Sequence, residues 1–580
     1  MDAGQNAGQV VFTNRARCRD CYRCLRACPV KAIRMHKGQA FVVGERCISC
    51  GTCIRECPQH AKTFRHDADR AARLIASGAK TAASIAPSFA AAFTEWEQKR
   101  LPGALRRLGF RHIAETAIGA FAVARETARL VETDRRPHIC TACPAVVAYV
   151  ERYEPDLVSC LTPLVSPMVA HGKHIKEALG ADTKVVFIGP CVAKKEELVR
   201  EEAAGAVDCV LTFSELRNWL QEAEIDLAQC EESDFDDKPA GDARYFPLPG
   251  GLARTAALHT GFLDLDCVPV SGVENLRQAL DSVRRTRRPV LIEPLFCSQG
   301  CVNGPGMGAD SNVFDRRGEL IEYAEANPGV ESARACSLHG LAAHYSSRPV
   351  DAPADFSEED IAGVLGRTGK ANPEDQLNCG ACGYTNCREK AIAVLQGMAE
   401  PEMCIPYMRR LAEQRTDRII ETSPNGIVIL DDRLNIIGMN PAFRSFFMCS
   451  DAVLGKPIAY LMDPALFEQL LGADTGLIET TVRHDKYNLT CHQLLYALRE
   501  ERQMIGIFVN ITRFQANQRQ LERLRSDTVR QAQDLMEHQV LVAQQLAQFL
   551  GESTARSEEL LRNMINLAAE KPKMTGDRQM

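Results

Sequence analysis

With 580 residues, 45% of them hydrophobic and 25% charged, the chain is too long for a single hydrophobic core and predicts about four units. A formal net charge of -6 gives no general attraction to nucleic acid or to an anionic membrane surface. No apolar run is long enough to span a bilayer and the N-terminus is polar, so 24 cysteines point to metal binding in a reducing compartment, and a cytoplasmic protein is expected.

Residues 1–72 carry an internal repeat. Cys18-x2-Cys21-x2-Cys24-x3-Cys28-Pro29 recurs as Cys47-x2-Cys50-x2-Cys53-x3-Cys57-Pro58. This is the spacing of a two-cluster ferredoxin, in which the fourth cysteine of each run ligates the other cluster. Cys18, Cys21, Cys24 and Cys57 are therefore expected to hold one 4Fe-4S centre, and Cys28, Cys47, Cys50 and Cys53 the second. Paired zinc knuckles would want a different spacing. The arginines around the first run, Arg15, Arg17, Arg19, Arg23 and Arg26, read as a solvated surface.

Within 73–350, Phe121, Ala124, Ala128 and Val131 recur at helical spacing and predict a helix over 116–131, feeding His138-Ile-Cys140-Thr-Ala142-Cys143-Pro144. Lys184-Val-Val-Phe-Ile188 reads as a strand running into Gly189-Pro190-Cys191-Val-Ala-Lys194. Val273, Leu276, Leu280 and Val283 predict another helix. Pro289-Val-Leu-Ile292 reads as a buried strand before Glu293, Cys297 and Cys301, with Gly304 and Gly306 following. Strands alternating with helices predict a parallel sheet, whose ligands bind outside the carboxyl ends of the strands. One cysteine from each of two stretches and a pair from the third then supply four sulfur ligands at one place, beside glycines that let the backbone approach a bulky inorganic group.

At Thr141-Ala142-Cys143-Pro144, at Pro190-Cys191-Val-Ala-Lys194 and at Glu293 through Cys301, the chain resembles the FeFe hydrogenases. The catalytic domain of that family carries Thr-Ser-Cys-Cys-Pro, Pro-Cys-x-x-Lys and Glu-x-x-x-Cys-x-x-x-Cys segments in this order. The resemblance implies that Cys143, Cys191, Cys297 and Cys301 hold an H-cluster. This is a 4Fe-4S cube joined through Cys301 to a di-iron unit with CO, cyanide and azadithiolate, and Lys194 would donate to a cyanide. It also implies a proton relay in which Glu126 and Ser166 occupy the first and third positions. Here the chain departs from the family: Arg129 stands where the second carboxylate would be, and Ala142 replaces the relay thiol. Gly189 and Leu295 stand where the family usually has methionines. A methyl group carries no proton, and fast general acid chemistry needs a titratable group within hydrogen-bond reach or one water away, so low turnover is expected. Cys140 is a candidate displaced thiol, although neighbouring strand positions face opposite ways.

Residues 351–412 are expected to open with a linker rich in Pro, Asp and Glu, reaching to about 372. A 4Fe-4S module follows, Cys379-x2-Cys382-x4-Cys387-x16-Cys404, with zinc as the alternative. In 413–513, strands at Ile427–Leu430 and Leu434–Ile437, a helix opened by Asn440-Pro441 and a closing strand at 504–512 resemble a PAS domain. No haem or flavin ligand stands out there, Cys449 and His492 being the nearest to one. In 514–580, a stretch almost free of Gly and Pro places Leu521, Leu524, Thr528, Leu535, Val542 and Phe549 at three-four spacing. It predicts a long helix that makes a homodimer as a parallel coiled coil. Cys140, Cys160, Cys209, Cys230, Cys267, Cys336, Cys449 and Cys491 are expected to be core residues.

This order of a two-cluster ferredoxin, an H-cluster domain, a small 4Fe-4S module, a PAS domain and a signalling helix is similar to the sensory, PAS-containing FeFe hydrogenases. A multidomain α/β and α+β protein is expected. The resemblance implies an enzyme that exchanges H2 and protons slowly and reversibly. Electrons would pass through three 4Fe-4S clusters, and the redox state would reach a protein kinase or phosphatase in trans through the PAS domain and helix. Hydrogenase maturation proteins would build its H-cluster. Two alternatives stand beside it: a metabolic hydrogenase linked to ferredoxin, and a redox relay without an H-cluster.

Overall fold

The computed structural model describes residues 9–238, 241–258, 267–286, 288–308, 311–329, 340–350, 355–472 and 476–569. They fall into two compact units that divide between Met408 and Arg409.

The first unit opens with β1 (Val11–Thr13) paired antiparallel to β4 (Lys62–Phe64), and with β2 (Ile33–His36) paired antiparallel to β3 (Gln39–Val42). The sequence repeat is also a backbone repeat. Left-handed φ values at Asp20, Tyr22 and Lys31 recur at Ser49, Gly51 and His60. The amides of Ala32 and Ala61 each donate to a sulfur, Cys28 Sγ and Cys57 Sγ, at 3.3 Å. Both cysteine runs are thus wound so that backbone N–H groups point at thiols.

The strand-helix alternation that follows makes two parallel sheets rather than the single one expected. β5 (Thr81–Ile85), β6 (His112–Glu115), β8 (Lys184–Gly189) and β9 (Cys209–Thr212) are ordered β6-β5-β8-β9. β7 (His138–Ile139), β10 (Cys267–Ser271) and β11 (Leu291–Leu295) form the second sheet, ordered β10-β11-β7. Four helices matter for the site: α1 (Ala117–Thr133), α2 (Pro144–Tyr153), α3 (Pro167–Leu179) and α4 (Val273–Arg285). Each sheet has its own core, Ile85, Val186 and Leu211 in the first, Ile139, Val146, Leu276 and Ile292 in the second. Burying one such side chain fully stabilises by about 1.5–3 kcal/mol, so each lobe is held by its own packing. α1 crosses α3 closely at Gly119, where a Cβ would meet Pro167 O at 2.4 Å.

The stretch expected as a linker is a correction. Residues 351–354 lie outside the described residues, but Glu358–Arg367 is a helix capped by Ser357, and it buries Ile361, Val364 and Leu365 against Cys387 and Ala391. Three apolar residues at helical spacing were hidden by the acidic composition around them. α5 (Cys387–Leu395) packs on that helix, and α6 (Ile405–Thr422) begins at the residue after Cys404.

The second unit is an antiparallel sheet ordered β13-β12-β16-β15-β14, made of β12 (Gly426–Asp431), β13 (Ile436–Met439), β14 (Leu477–His484), β15 (Leu489–Leu498) and β16 (Gln503–Asn510). β13 starts later than expected because Leu434 has φ +62° and Asp431 Oδ1 accepts from Asn435 N at 2.8 Å, extending the turn. Phe443, Phe447, Phe467 and Phe508 fill the interior. Asn440 is buried, and its amide donates to Ile420 O at 3.0 Å and Asn425 O at 2.8 Å. α7 (Thr512–Ala569) leaves Leu521, Leu524, Leu535 and Phe549 exposed. Among the described residues no helix is long and apolar enough to cross a membrane.

Of the cysteines expected in cores, Cys140, Cys209, Cys230, Cys267 and Cys491 are buried. Cys160 and Cys449 are only half-buried, and Cys336 lies outside the described residues.

Candidate metal centre

Three strand ends deliver the central cysteines. Cys143 caps α2 just beyond β7, Cys191 lies two residues past β8, and Cys297 two past β11, with Cys301 opening the next tight turn. The two lobes therefore contribute to one place. Enclosure by protein pushes the Cys191 thiol up to about 12, and the charges of Cys143 nearby push the same way. Cys297 and Cys301 are also raised by burial first, then by the other thiols of the set, Cys143 and Cys191 among them. Four enclosed thiols close enough to raise one another would lose their protons on binding a metal, whose charge offsets their mutual repulsion.

The glycines have a steric reason. A Cβ on Gly300, whose φ is +89°, would meet Pro247 O at 2.4 Å, and one on Gly304 would meet Pro190 O at 2.5 Å. The Cys297–Cys301 loop therefore packs on Pro247, and the turn after it, at Gly304, packs on the turn that carries Cys191.

Cys191 and Cys301 border a cavity of about 80 Å³ with Lys194, Ser88, Thr116, Met168 and Phe187. Lys194 Nζ donates to Glu197 Oε2 at 2.7 Å and to Ala142 O at 3.4 Å, which fixes its ammonium at the wall. Ser88 Oγ is buried without a hydrogen-bond partner on the same wall. Gly189 stands where it does because a Cβ there would meet Phe187 Cζ at 2.7 Å; the aromatic ring occupies that space. Phe187, Ser88, Thr116 and Glu197 were not singled out from the sequence. Only Glu197 had a signal, its placement three residues after Lys194.

The expected relay residues are not joined. Glu126 is partly exposed, and Arg129 Nη1 donates to its Oε1 at 2.5 Å. Ser166 is buried, and its Oγ has no partner. Ala142 is half-buried, packed in one cluster with Cys140. Burial pushes the Cys140 thiol up to about 12, with Glu293 adding repulsion, so it stays protonated. Glu293 accepts N–H bonds from Leu252 and Ala253 at 3.0 and 3.2 Å, yet burial still raises it to about 7.

The other cysteine sets also converge. Cys18, Cys21, Cys24 and Cys57 surround one small cavity. Cys53 lies within electrostatic reach of Cys47, Cys50 and Cys28. Cys379, Cys382, Cys387 and Cys404 surround a third cavity, where Lys370 Nζ donates to Cys387 Sγ at 3.2 Å. Among the described residues no group of three His, Cys, Asp or Glu side chains is placed to hold a single metal ion.

The sets are adjoining. Arg55 donates to Asn303 O at 2.7 Å, and Gly51 lies so close to the loop that a Cβ would meet Pro305 Cγ at 2.4 Å. This seats the Cys28, Cys47, Cys50, Cys53 set beside Cys297–Cys301. On its other side Arg26 donates to Ala381 O at 3.1 Å, and Lys31 and Tyr384 each feel both Cys28 and Cys382. Arg26 is exposed, as expected, and from the surface it also reaches the third set.

The family of the iron only hydrogenase large subunit, C-terminal domain, matches residues 79–305. A 4Fe-4S dicluster domain matches 10–58, an Fe-S cluster family 375–406, and a PAS domain 414–483. The chain is 26% identical over 268 residues to the periplasmic [Fe] hydrogenase large subunit of Nitratidesulfovibrio vulgaris, covering 37% of this chain and 64% of that one. It is 25% identical over 325 residues to iron hydrogenase 1 of Clostridium pasteurianum, covering 47% and 55%. It thus spans somewhat over half the length of these relatives. Over 152 residues it is 34% identical to the cytosolic Fe-S cluster assembly factor NAR1 of Eremothecium gossypii, covering 25% and 33%. Solved [FeFe]-hydrogenase HydA1 of Chlamydomonas reinhardtii matches at 18% identity and TM-score 0.38, covering 49% of this chain and 100% of that one. The chain therefore carries the C-terminal domain of the iron-only hydrogenase large subunit, joined to a 4Fe-4S dicluster domain, a further Fe-S cluster segment and a PAS domain.

Proposed function

We propose that the chain is a sensory FeFe hydrogenase that oxidises H2 slowly and reversibly, and reports the electrons through its PAS domain. The observation that carries this reading is the pairing of a complete four-cysteine set, Cys143, Cys191, Cys297 and Cys301, with a methyl group at Ala142 and a relay carboxylate, Glu126, tied up by Arg129. The residues fit an H-cluster: four thiols at the ends of two sheets, a fixed ammonium on Lys194, and the unpartnered Ser88 hydroxyl at the cavity wall. Bound there, that group supplies H2 binding, reversible splitting and electron uptake. Lys194 offers a donor to an anionic ligand, and Phe187 with Met168 keeps water from the cavity.

The Cys28, Cys47, Cys50, Cys53 set lies between this site and the Cys379, Cys382, Cys387, Cys404 set, so clusters held by these sets would be neighbours. A cluster held by the third set would, on reduction, change the local field immediately before α6, a change of the kind that biases a two-state element. α7, with its exposed apolar residues, pairs with a second copy, and the output is a kinase or phosphatase in trans.

Infrared spectra of the matured protein, under hydrogen and under inert gas, test the reading. Bands of metal-bound CO and cyanide that change under hydrogen are expected; their absence leaves a redox relay without an H-cluster. Ala142→Cys should raise hydrogen evolution by about tenfold or more, because it restores a titratable group at the reacting centre. A wild-type rate matching fast hydrogenases would instead favour a metabolic, ferredoxin-linked enzyme.

A further inference from the structure

A buried polar row leads away from the cavity on a side that the family's relay positions do not use. Thr116, at the start of α1, borders the cavity. Its Oγ1 lies 2.8 Å from Ser84 Oγ on β5, and Ser84 Oγ lies 2.7 Å from Nδ1 of His171 on α3. Thr116 is 4% exposed, and Ser84 and His171 are 0%. On the far side of the ring, His171 Nε2 is buried with no hydrogen-bond partner. A polar nitrogen left unpaired in a core is costly, and such atoms commonly mark the place of an internal water.

Three other titratable groups lie within electrostatic reach of His171. His174, on its own helix, has its ring centroid 6.3 Å away, and His112 of β6 and Asp237 beside β6 are within electrostatic reach. His112 Nε2 and Asp237 Oδ2 are 2.9 Å apart, and the Asp237 side chain is 43% exposed. The hydrogen-bonded row therefore runs from the cavity wall to His171, and the partly exposed His112–Asp237 pair lies within electrostatic reach of that ring.

We propose that Thr116, Ser84 and His171 form a proton relay between the cavity and solvent, leaving by way of His112 and Asp237, and that it serves in place of the thiol missing at Ala142. It rests on the hydrogen-splitting reading given above. A proton taken up at Thr116 Oγ1 sends that hydroxyl's own proton to Ser84 Oγ. Ser84 passes its proton to His171 Nδ1, and the imidazolium releases its Nε2 proton to water shared with His112 and Asp237. One proton crosses, no electron moves, and the row resets when the hydroxyls rotate and the ring changes tautomer. Burial, with His174 adding repulsion, lowers His171 to about 3, so the ring hands the proton on without storing it. A relay through an ordinarily neutral histidine suits slow turnover.

Two measurements test it. In the full chain lacking the di-iron unit, histidine-selective nitrogen-15 spectra should show Nδ1 of His171 as the acceptor, with an Nε2 proton that exchanges with water faster than the buried backbone amides of α3. An Nε2 proton as protected as those amides would mean a sealed core histidine and would overturn the relay. In the matured protein, Thr116→Val should lower hydrogen-deuterium exchange under D2 by about tenfold, while Thr116→Ser keeps it within about twofold, with the CO and cyanide bands unchanged. With bands present, a Thr116→Val rate within about twofold of wild type would overturn the relay. In an Ala142→Cys background the Thr116→Val loss should shrink to within about twofold, because the thiol offers another route. A loss that persists there marks damage to the cavity and overturns the relay. If the wild-type protein shows no CO or cyanide bands, it is the hydrogen-splitting reading that fails, and the nitrogen-15 result then stands by itself.

Discussion

Lys370 offers the most direct handle on where an electron comes to rest. It is 6% exposed, and its Nζ donates to Cys387 Sγ at 3.2 Å. Burial by itself would lower the ammonium, but hydrogen bonds to Cys387 and Cys404 outweigh it and hold the group above its usual range. Lys370→Met keeps the length of the side chain and removes the charge. Two unit charges 3.2 Å apart interact by about 5 kcal/mol at an effective dielectric constant of about 20, which is a ceiling. Spread over a four-iron cluster and screened by nearby solvent, the same charge is worth about 1–3 kcal/mol to the added electron. For one electron that is about 40–130 mV, and the sign is negative, since losing a cation makes reduction harder. A redox titration of the full chain, followed by electron paramagnetic resonance of the third cluster, reads this directly. A midpoint within about 15 mV of wild type, or a positive shift, would refute the electrostatic role given to Lys370.

Glu293→Gln tests the buried carboxyl in the chain lacking the di-iron unit. A folded-state value of about 7 against an ordinary 4.5 means that the folded chain holds a proton which the unfolded chain releases. Its stabilisation is complete below about pH 4.5 and is lost as pH rises through 7. Stability to denaturant should therefore fall by about 3 kcal/mol more in wild type than in the variant over that window, and parallel curves would refute the buried titration. Asn440→Ala removes the acceptor for the N–H groups of Ile427 and Phe443 and the donor to Ile420 O and Asn425 O. The second unit should lose about 2–4 kcal/mol, seen as an earlier thermal transition, and an unmoved transition would show that the site relaxes around the loss. Ending the chain at Ile511 should halve the mass in sedimentation, since it removes the exposed stripe of α7; a full-length chain already monomeric would refute pairing through that helix.

The cysteine sets were legible because each depends on short spacings that the fold preserves, as in the repeat that winds Cys18–Cys28 and Cys47–Cys57 alike. The strands that lead to Cys191 and Cys297 were legible from apolar runs. Two sheets in place of one were not, because β7 is two residues long and shows no periodicity. The helix at Glu358–Arg367 was hidden by its acidic first turn, although Ile361, Val364 and Leu365 carry the spacing. Thr116, Ser84 and His171 come from a helix start, a strand and another helix, and no local pattern joins them. The Glu126–Arg129 pair did have a signal, opposite charges three residues apart on one helix.

What separates a sensor from a metabolic enzyme here is which cluster keeps the electron. The Cys28, Cys47, Cys50, Cys53 set touches the Cys297–Cys301 loop through Arg55 and the third set through Arg26, so it is a crossing with two exits. In the proposed route one exit would be the first set, with Cys21 exposed, and the other the third set, where Lys370 would stabilise an added charge. Buried lysines stand on both branches, Lys62 in the pocket of the first set and Lys370 in that of the third, so removing Lys370 would tilt the electron away from the third set, which under the proposed slow turnover would report equilibrium with hydrogen. That makes the tilt measurable without any catalytic change. For a two-electron couple about 30 mV corresponds to a tenfold change in equilibrium, so a shift of about 60 mV from Lys370→Met should raise the hydrogen pressure that half-reduces the third set about a hundredfold. Hydrogen evolution should stay as it was, because Lys370 lies in the third set's pocket and not at the cavity of Cys191 and Cys301. A change in evolution rate with no change in that pressure would mean that the third set lies on the main electron route and does not act as its gauge.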